Sequence, residues 1–433
     1  MDNNVQYDQY KKSRFLHIIE AALEYFIAIL VEGAFLARIT AELGISDSLT
    51  GILTAFVQLG NAFQLTALFI NTRKPVKRWI TVGQSINQLA FGIIYVTPFL
   101  KVSSTSKTVI FIIALVIGHI LNQIAFSPKN NWYMRLVENN RRGRFTAIKE
   151  IVSLIGGMVF SLSLGRIMDH FDAIGNKRES FAVCAICIFV LALLHSLTLI
   201  FSKERAYEIT ENEEAKKESR LQSIKSAVSD KNIIKIIIMF ILWNAFRCMS
   251  YPFYGSYQIN ELGFSMTFVS ILSIVYAVVR SLFSIPLGRF ADKNTFAKML
   301  MICFPIEAIG WLFVVFCVPS NGKILFTLYK VFEAISMAGI NSAGMNLIFD
   351  FADESRRTES LALKNSLCGI AGFLSTLAIS PLITYIQANN NRFLGINAYA
   401  QQVVSAFSFV GETIVILYLI FVVSRLKKQK ENE

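Results

Sequence analysis

The chain has 433 residues, of which 54% are hydrophobic and 17% are charged, and its formal net charge is +12. Soluble domains are usually about 45–50% apolar and about 25% charged, so this composition excludes an ordinary soluble protein. The excess positive charge lies in short clusters between apolar runs, which is typical of membrane topology rather than of a nucleic-acid partner. We therefore expect an all-α integral membrane protein embedded in a lipid bilayer, since short alternating strands of a transmembrane barrel are missing from the sequence.

Apolar runs long enough to span a bilayer follow a polar N-terminal segment. A spanning helix rises 1.5 Å per residue and needs about 20 residues, and twelve runs meet this requirement. The predicted spans are 15–40, 48–70, 79–100, 108–133, 146–169, 180–202, 232–258, 265–287, 297–318, 323–349, 360–387 and 397–424. The charged segment 203–231 is the long connection, and it divides the chain into an N-terminal six-helix bundle (1–202) and a C-terminal six-helix bundle (232–433).

Lysine and arginine are concentrated in one set of the loops between these spans. This set includes the basic clusters at 73–78, 141–144, 289–298 and 356–357, and both chain ends are basic as well. Cytoplasmic loops carry the excess of lysine and arginine in membrane proteins. We therefore expect a multi-pass protein of the plasma or inner membrane, with both termini and the segment 203–231 in the cytoplasm.

The two halves of the chain resemble each other. The segment Glu42-Leu-Gly-Ile-Ser46 follows the first span, and Glu261-Leu-Gly-Phe-Ser265 follows the seventh. Beyond them, residues 52–63 align without gaps with residues 271–282. Internal repeats of this kind predict two six-helix bundles related about an axis along the membrane normal.

A loop motif follows the eighth span. The segment Gly288-Arg-Phe-Ala-Asp-Lys293 resembles the G-x-x-x-D-[RK] signature of the major facilitator superfamily of secondary transporters. In that family the acid caps a neighbouring helix and the basic residue pairs with acidic helix ends, so the resemblance gives these gating roles to Asp292 and Lys293. The matching loop after the second span has Arg73 where the repeat alignment places the acid, and Asn294 stands where the family usually has glycine. 

A second loop motif supports the same resemblance. The segment 142–145 reads RGRF and is similar to the RGR-[YF] motif of bacterial members of the superfamily, which places Arg144 among the candidate gating residues. The resemblance covers nearly the whole chain at the level of the fold. It implies that the first, fourth, seventh and tenth helices line a central cavity.

The seventh predicted span carries a polar stripe. The five polar residues recur at steps of three and four, so a continuous helix would present them on one face; they are Asn244, Arg247, Tyr251, Tyr254 and Gln258. Arg247 lies near the middle of the span, where a charge is costly in lipid and normally faces a partner or water. We therefore predict that this face binds the transported molecule.

Carboxylates of the first span are the expected partners of that arginine. Glu24 and Glu32 flank the middle of the span, and the internal repeat places Ala28 opposite Arg247. We expect Glu24 or Glu32 to pair with Arg247, either as a permanent structural ion pair or as a pair that breaks during transport. Glu20 lies nearer the cytoplasmic end, where we expect it to be solvated.

The fourth and tenth spans carry further polar residues at helical spacing. The candidates are His119 and Asn122 on the fourth span, and Glu333 and Asn341 on the tenth, with Lys330 one turn from Glu333. Histidine can gain or lose a proton at physiological pH, although a buried histidine is often only a hydrogen-bonded packing residue. Other charged residues are expected to be structural: Glu307 and Glu412 in helix packing, and Arg166 paired with Asp169.

These observations predict a secondary transporter that moves a small polar or anionic organic solute by alternating access around a mid-membrane site, coupled to protons. We expect a monomer without cofactor or bound metal. Two alternatives remain open, a multidrug-type efflux transporter and a transporter-like sensor or partner protein that moves nothing. The sequence contains no P-loop, HExxH or GxSxG motif, so an enzyme is not expected.

Overall fold

The computed structural model describes residues 9–62, 75–138, 141–205, 230–352 and 357–426. The longer helices in these ranges are α1 (Lys11–Leu30), α2 (Gly33–Glu42), α3 (Asp47–Ala62), α4 (Lys77–Val96), α5 (Ser104–Met134), α6 (Arg142–Ala173), α7 (Lys177–Phe201), α8 (Lys231–Arg247), α9 (Met266–Lys293), α10 (Phe296–Val315), α11 (Gly322–Phe349), α12 (Arg357–Ala388) and α13 (Ala400–Phe421).

Short elements connect or extend these helices. The 3₁₀ turns are Thr97–Phe99, Tyr251–Phe253 and Val423–Arg425; a single helical turn, Tyr254–Ser256, is followed by a π-helical turn, Tyr257–Glu261. Between α12 and α13, strands β1 (Arg392–Phe393) and β2 (Ile396–Asn397) form a small antiparallel hairpin in which Arg392 lies opposite Asn397.

Nine helical segments of the described ranges are long and apolar enough to cross a membrane. They are Ser104–Met134, Arg142–Ala173, Lys177–Phe201, Lys231–Glu261, Met266–Lys293, Phe296–Val315, Gly322–Phe349, Glu359–Ala388 and Ala400–Arg425. The prediction of an all-α, multi-pass membrane protein is therefore confirmed. The total of twelve spans stays a prediction.

The first predicted span, 15–40, is not one continuous helix. Helix α1 ends at Leu30, and α2 begins at Gly33, whose φ of +55° is a left-handed conformation that favours glycine. Glu32 lies between them with extended backbone angles, and its side chain is exposed. Because of this break, Glu24 and Glu32 do not lie on one continuous helix, and their side chains do not share a helix face.

The seventh predicted span is also interrupted. Helix α8 ends at Arg247, and the chain continues through irregular turns that contain Pro252. Proline has no N–H group and its ring clashes with the carbonyl four residues earlier, so it ends or kinks a helix. The predicted stripe from Asn244 to Gln258 therefore does not lie on one regular helix, and the prediction of a single polar face is wrong.

Contacts divide the described chain into two compact units. The first contains residues 9–45, 75–205 and 265–270, and the second contains 46–62, 230–264 and 271–426. Helix α3 belongs to the second unit, where it packs along α12. The division into two sequence halves at 203–231 stays a prediction.

In the first unit, α1 packs against α6 and α7, and α4 packs against α5 and α7. Close approach depends on small residues, as is common between helices in membranes. At Gly165 of α6, an added Cβ would lie only 2.7 Å from the backbone oxygen of Met266, the first residue of α9. One turn beyond, the Asp169 carboxylate accepts hydrogen bonds from the backbone N–H groups of Met266 and Thr267 at 2.7 and 2.8 Å. Asp169 therefore caps α9, and its expected pairing with Arg166 is wrong.

In the second unit, α10 packs against α11 and α13, and α8 packs against α12 and α13. Large apolar side chains fill the spaces between these helices; the fully buried ones include Phe240, Phe304 and Phe326. This packing surrounds the last turn of α8, so that Arg247 lies inside the unit.

Candidate functional site

Arg247 is the centre of a buried ionic cluster in the second unit. Its Nη2 donates to Glu333 Oε1 at 3.0 Å, and its Nε lies 3.6 Å from Glu307 Oε1. The guanidinium carbon lies 4.0 Å from the centre of the Tyr251 ring. Arg247 is 8% exposed, and both glutamates are 1% exposed. The arginine thus has two carboxylate neighbours and an aromatic face in a site closed to bulk solvent.

Lys330 completes the cluster. Its Nζ donates to Glu333 Oε2 at 2.8 Å and lies 5.2 Å from the centre of the Tyr329 ring. Trp243 Nε1 donates to Glu307 Oε2 at 2.9 Å. Two cations therefore face two carboxylates, and the buried charges balance. Balance of this kind is required, because an unpaired buried charge is strongly destabilising.

Two predictions about residues of this cluster are wrong. Its carboxylate partners are Glu333 and Glu307 rather than Glu24 or Glu32. Glu307, expected to be a packing residue, contributes a carboxylate to the cluster. The error has a simple cause: the position of a residue along its helix gives its depth, but the packing of helices decides which residues are neighbours.

Buried polar atoms without partners lie in and near the cluster. Among the described residues, Arg247 Nε, Trp311 Nε1 and Tyr329 Oη have no hydrogen-bond acceptor within reach. The Trp311 and Tyr329 rings lie 5.5 Å apart, centre to centre, and Tyr254 contacts both rings. The site therefore contains hydrogen-bond donors that have no acceptor, and it also presents aromatic faces.

The other residues of the predicted stripe point elsewhere. Asn244 donates to the Cys368 carbonyl at 2.7 Å and to Gln58 Oε1 at 3.3 Å, so it joins α8 to α12 and α3. The Tyr254 hydroxyl bonds to Ser405 Oγ of α13 at 2.6 Å.

The two candidates of the tenth predicted span lie in different surroundings. Glu333 is buried in the cluster, whereas Asn341, two turns along α11, is exposed.

The first unit contains a second buried network, centred on Glu20. The Oε1 atom of Glu20 accepts a hydrogen bond from Lys129 Nζ at 2.8 Å and lies 3.0 Å from His195 Nε2, and its Oε2 lies 2.9 Å from His17 Nδ1. Lys129 Nζ also contacts Glu24 Oε2 at 2.5 Å. Glu20 is 0% exposed, so the expectation that it is solvated is wrong.

A metal ion is not needed to hold this network together. Donor atoms of Glu20, Glu24 and His195 lie within 4.8 Å of one another, a spacing that could hold a metal ion. The Lys129 ammonium, however, already lies between the two carboxylates and supplies a positive charge there. The network contains two carboxylates and one lysine.

His119 and Asn122 lie on α5 but not in this network. His119 is buried with its ring edge toward Phe91, at 5.2 Å between ring centres. Asn122 Oδ1 accepts a hydrogen bond from Gln84 Nε2 of α4 at 3.1 Å. These contacts resemble helix packing between α4 and α5, and the functional roles of both residues stay predictions.

The gating candidates lie at helix ends. Gly288, Asp292 and Lys293 occupy the last turns of α9, which extends through a segment expected to be a loop. Asp292, Lys293 and Arg144 are exposed. Arg73 lies outside the described residues. The gating roles of all these residues stay predictions.

Three polar residues of the Glu20 network were not among the predicted site residues, although their positions in the sequence indicate them. Lys129 and His195 lie inside the predicted spans 108–133 and 180–202, where an ionisable residue is a functional candidate by default. His17 lies three residues from Glu20, a spacing that places two side chains on one helix face. These three residues form the shell around Glu20.

Residues 40–426 match the sequence model of a family described as MFS/sugar transport protein. No curated protein matches the chain.

Solved structures of known transporters share the fold. A mutant of the nucleoside transporter NupG has a TM-score of 0.74 at 12% identity, covering 94% of this chain and 99% of that one. A D-xylose-proton symporter has a TM-score of 0.63 at 15% identity, covering 94% and 97%. A mutant of the E. coli fucose:proton symporter FucP has a TM-score of 0.51 at 14% identity, covering 94% and 99%. At these identities the similarity shows the fold alone.

Proposed function

The chain belongs to the MFS/sugar transport protein family, and from this premise we propose that it is a proton-coupled secondary transporter of a small polar or anionic organic solute. The protein lies in the plasma or inner membrane with both termini in the cytoplasm, as the distribution of lysine and arginine favours. The solute crosses by alternating access.

The observation that carries this proposal is the arrangement of Arg247. Its guanidinium lies on the Tyr251 ring, makes one close hydrogen bond to Glu333, and leaves Nε at the longer distance of 3.6 Å from Glu307. Arginine presents a planar fork of donors that can hold a carboxylate or a pair of oxygens. A solute oxygen can therefore take the place of Glu307 beside Arg247 Nε while Nη2 keeps its hydrogen bond to Glu333.

Aromatic rings supply the second half of the proposed site. Tyr251 and Tyr329 lie beside the Arg247 and Lys330 cations, and the Trp311 ring lies 5.5 Å from that of Tyr329. Tyrosine and tryptophan combine an apolar face with a polar group. Sugars, nucleosides and small carboxylates present the matching combination of oxygens and flat or weakly polar faces. The described relatives transport a nucleoside, D-xylose and fucose, which supports this choice of solutes.

Proton coupling follows from the cost of buried charge. When Arg247 turns from a glutamate to the solute, the glutamate loses its cation in a site shielded from water, and a buried carboxylate without a partner takes up a proton instead. The xylose and fucose relatives are described as proton symporters, which supports the same coupling.

A ligand screen tests the site. The purified protein is heated with sugars, nucleosides and carboxylates, because binding to the native state raises the apparent melting temperature. We expect at least one of these classes to stabilise the wild type, and Arg247→Lys to lose most of that stabilisation because an ammonium replaces the fork. The matched control is Arg392→Lys, in the exposed hairpin. Equal stabilisation of wild type and Arg247→Lys would contradict the proposal.

A further inference from the structure

A groove lined only by apolar residues lies between α4 and α5 on the surface of the first unit. It encloses about 320 Å³, and Ala90 and Ala114, each 6% exposed, form its floor. Branched side chains that are 41–52% exposed form most of its walls: Ile86, Leu89 and Ile93 on α4, and Ile113 and Ile117 on α5. Because the two alanines are small, the helices present a concave surface to the bilayer rather than a flat one.

Two cations lie at one end of this groove. Lys107 precedes Ile110, which also lines the groove, by three residues, and this spacing places both side chains on one face of α5. The Nζ atom of Lys107 donates to the carbonyl oxygen of Pro98 at 3.0 Å. The same oxygen accepts a hydrogen bond from Nη2 of Arg178, at the start of α7. The ammonium and the guanidinium therefore lie side by side.

The Pro98 carbonyl is neutral, so it does not compensate these two positive charges. Within the described ranges, none of the ion pairs includes Lys107 or Arg178. An ammonium has three N–H donors and a guanidinium has five, and Pro98 uses one donor of each. Lysine binds phosphate as a point charge, and arginine binds it through its planar fork of donors. The two side chains are therefore suited to hold an oxyanion together.

The basic residues near this end of the groove also stand out in the sequence. The loops on the predicted extracytoplasmic side contain six lysines and arginines, and four of them flank the groove: Lys101, Lys107, Lys177 and Arg178, whereas Lys323 and Arg392 lie in other loops. The rule that cytoplasmic loops carry the excess of basic residues gives no reason for a basic cluster on this side. A local binding role does give one.

The length of the groove matches one lipid chain. Ten residues separate Lys107 from Ile117 on α5, which corresponds to about 15 Å at a rise of about 1.5 Å per residue. The hydrocarbon core of a bilayer is about 30 Å thick, so one leaflet accounts for about 15 Å. A phospholipid whose phosphate lies at Lys107 therefore has room to extend an acyl chain along the whole groove.

We propose that this groove binds an anionic phospholipid. The phosphate group lies between Lys107 and Arg178 and offsets their charge, and one acyl chain fills the groove over Ala90 and Ala114. The site lies in the first unit, whereas the Arg247 cluster lies in the second. Lipid binding here does not depend on which solute the protein transports.

Lipid binding to the purified, delipidated full-length protein tests the proposal. Native mass spectrometry counts the bound lipid, and the melting temperature reports the same binding because a ligand of the native state raises it. Dioleoyl-phosphatidylglycerol should bind the wild type more tightly than dioleoyl-phosphatidylcholine, which has the same chains but no net charge. Inorganic phosphate at the same concentration should not stabilise the protein. Equal binding of the two lipids, or equal stabilisation by inorganic phosphate, would overturn the proposal.

Removal of both cations tests the headgroup site. Lys107→Gln with Arg178→Gln should weaken the binding of phosphatidylglycerol about 30-fold, the equivalent of about 2 kcal/mol for two basic residues beside an anionic lipid. The matched control is Lys323→Gln with Arg392→Gln, which removes the same charge at exposed positions of the second unit and should leave the affinity unchanged. Equal affinities of the two double variants would contradict the assignment of the phosphate to Lys107 and Arg178.

A bulky substitution in the groove tests the acyl-chain site, and it decides the question if the charge variant does not fold. Ile113→Trp replaces one apolar side chain by a larger one at a position that is 52% exposed, so the fold should be retained while most of the binding of phosphatidylglycerol is lost. The matched control is Ile186→Trp, at a position of α7 outside the groove that is 63% exposed. Unchanged binding in Ile113→Trp would show that no acyl chain occupies the groove.

Discussion

Arg247 and Glu333 are joined by a hydrogen bond of 3.0 Å from Nη2 to Oε1, although α8 and α11 are far apart in sequence. The second oxygen of Glu333 accepts a hydrogen bond from Lys330 at 2.8 Å. The Glu333 carboxylate therefore pairs with both cations of the cluster, Arg247 and Lys330. Removing its negative charge should leave both cations without this partner.

Glu333→Gln should lower the free energy of unfolding by about 3–5 kcal/mol, because it leaves buried positive charge without compensation. The measurement is thermal unfolding in detergent. A second variant, Glu333→Gln with Lys330→Met, restores the charge balance and should recover much of the loss. Equal stability of wild type and Glu333→Gln would show that the ion pair is not needed for folding.

Lys129→Met should destabilise the first unit by a similar amount, about 3–5 kcal/mol, since the ammonium lies between Glu20 and Glu24. Adding Glu24→Gln removes one of the stranded carboxylates and should restore part of the stability. The control is Lys323→Met at an exposed position, which should change little. A larger loss in Lys323→Met than in Lys129→Met would be inconsistent with the buried network.

Asp169→Ala should cost about 1 kcal/mol, within the range of about 0.5–2 kcal/mol measured for lost helix caps, because two backbone N–H groups of α9 lose their acceptor. Arg166→Ala should cost clearly less, since the carboxylate does not depend on that arginine. Thermal unfolding of both variants measures these losses. A larger loss of stability in Arg166→Ala than in Asp169→Ala would support the Arg166–Asp169 pairing instead.

Asp292→Asn should slow transport more than it weakens binding. The residue is exposed at the end of α9, away from the Arg247 cluster, and the family resemblance gives it a role in holding one state of the transport cycle. The measurements are solute affinity in detergent and exchange rate in proteoliposomes. Normal exchange together with a large loss of affinity would assign Asp292 to binding instead.

The long apolar runs were sufficient to predict the helices, because a helix that crosses lipid must satisfy its backbone internally and be apolar over about 20 residues. The breaks were also visible in the sequence. Glycine and proline interrupt helices, so Gly33 and Pro252 indicate the breaks in the first and the seventh predicted span.

The partners of the buried charges could not be predicted in the same way. Glu24 and Glu307 were both acids inside predicted spans, and the sequence did not distinguish which of them lies beside Arg247. Such neighbours are set by helix packing between distant parts of the chain, where a rotation of one helix by a single residue changes the contact. The sequence therefore predicts which ionisable residues lie inside the spans, but it does not predict which of them form pairs.

The most direct test of the account is uptake by proteoliposomes under an imposed proton gradient. The substrate is the radiolabelled solute that stabilises the purified protein most, and the gradient is acidic outside. The account predicts accumulation above the equilibrium level in wild type, collapse of that accumulation with a protonophore, and loss of most uptake in Arg247→Lys but not in Arg392→Lys. Uptake that only equilibrates the solute and is indifferent to the gradient, or unchanged uptake by Arg247→Lys, would contradict it.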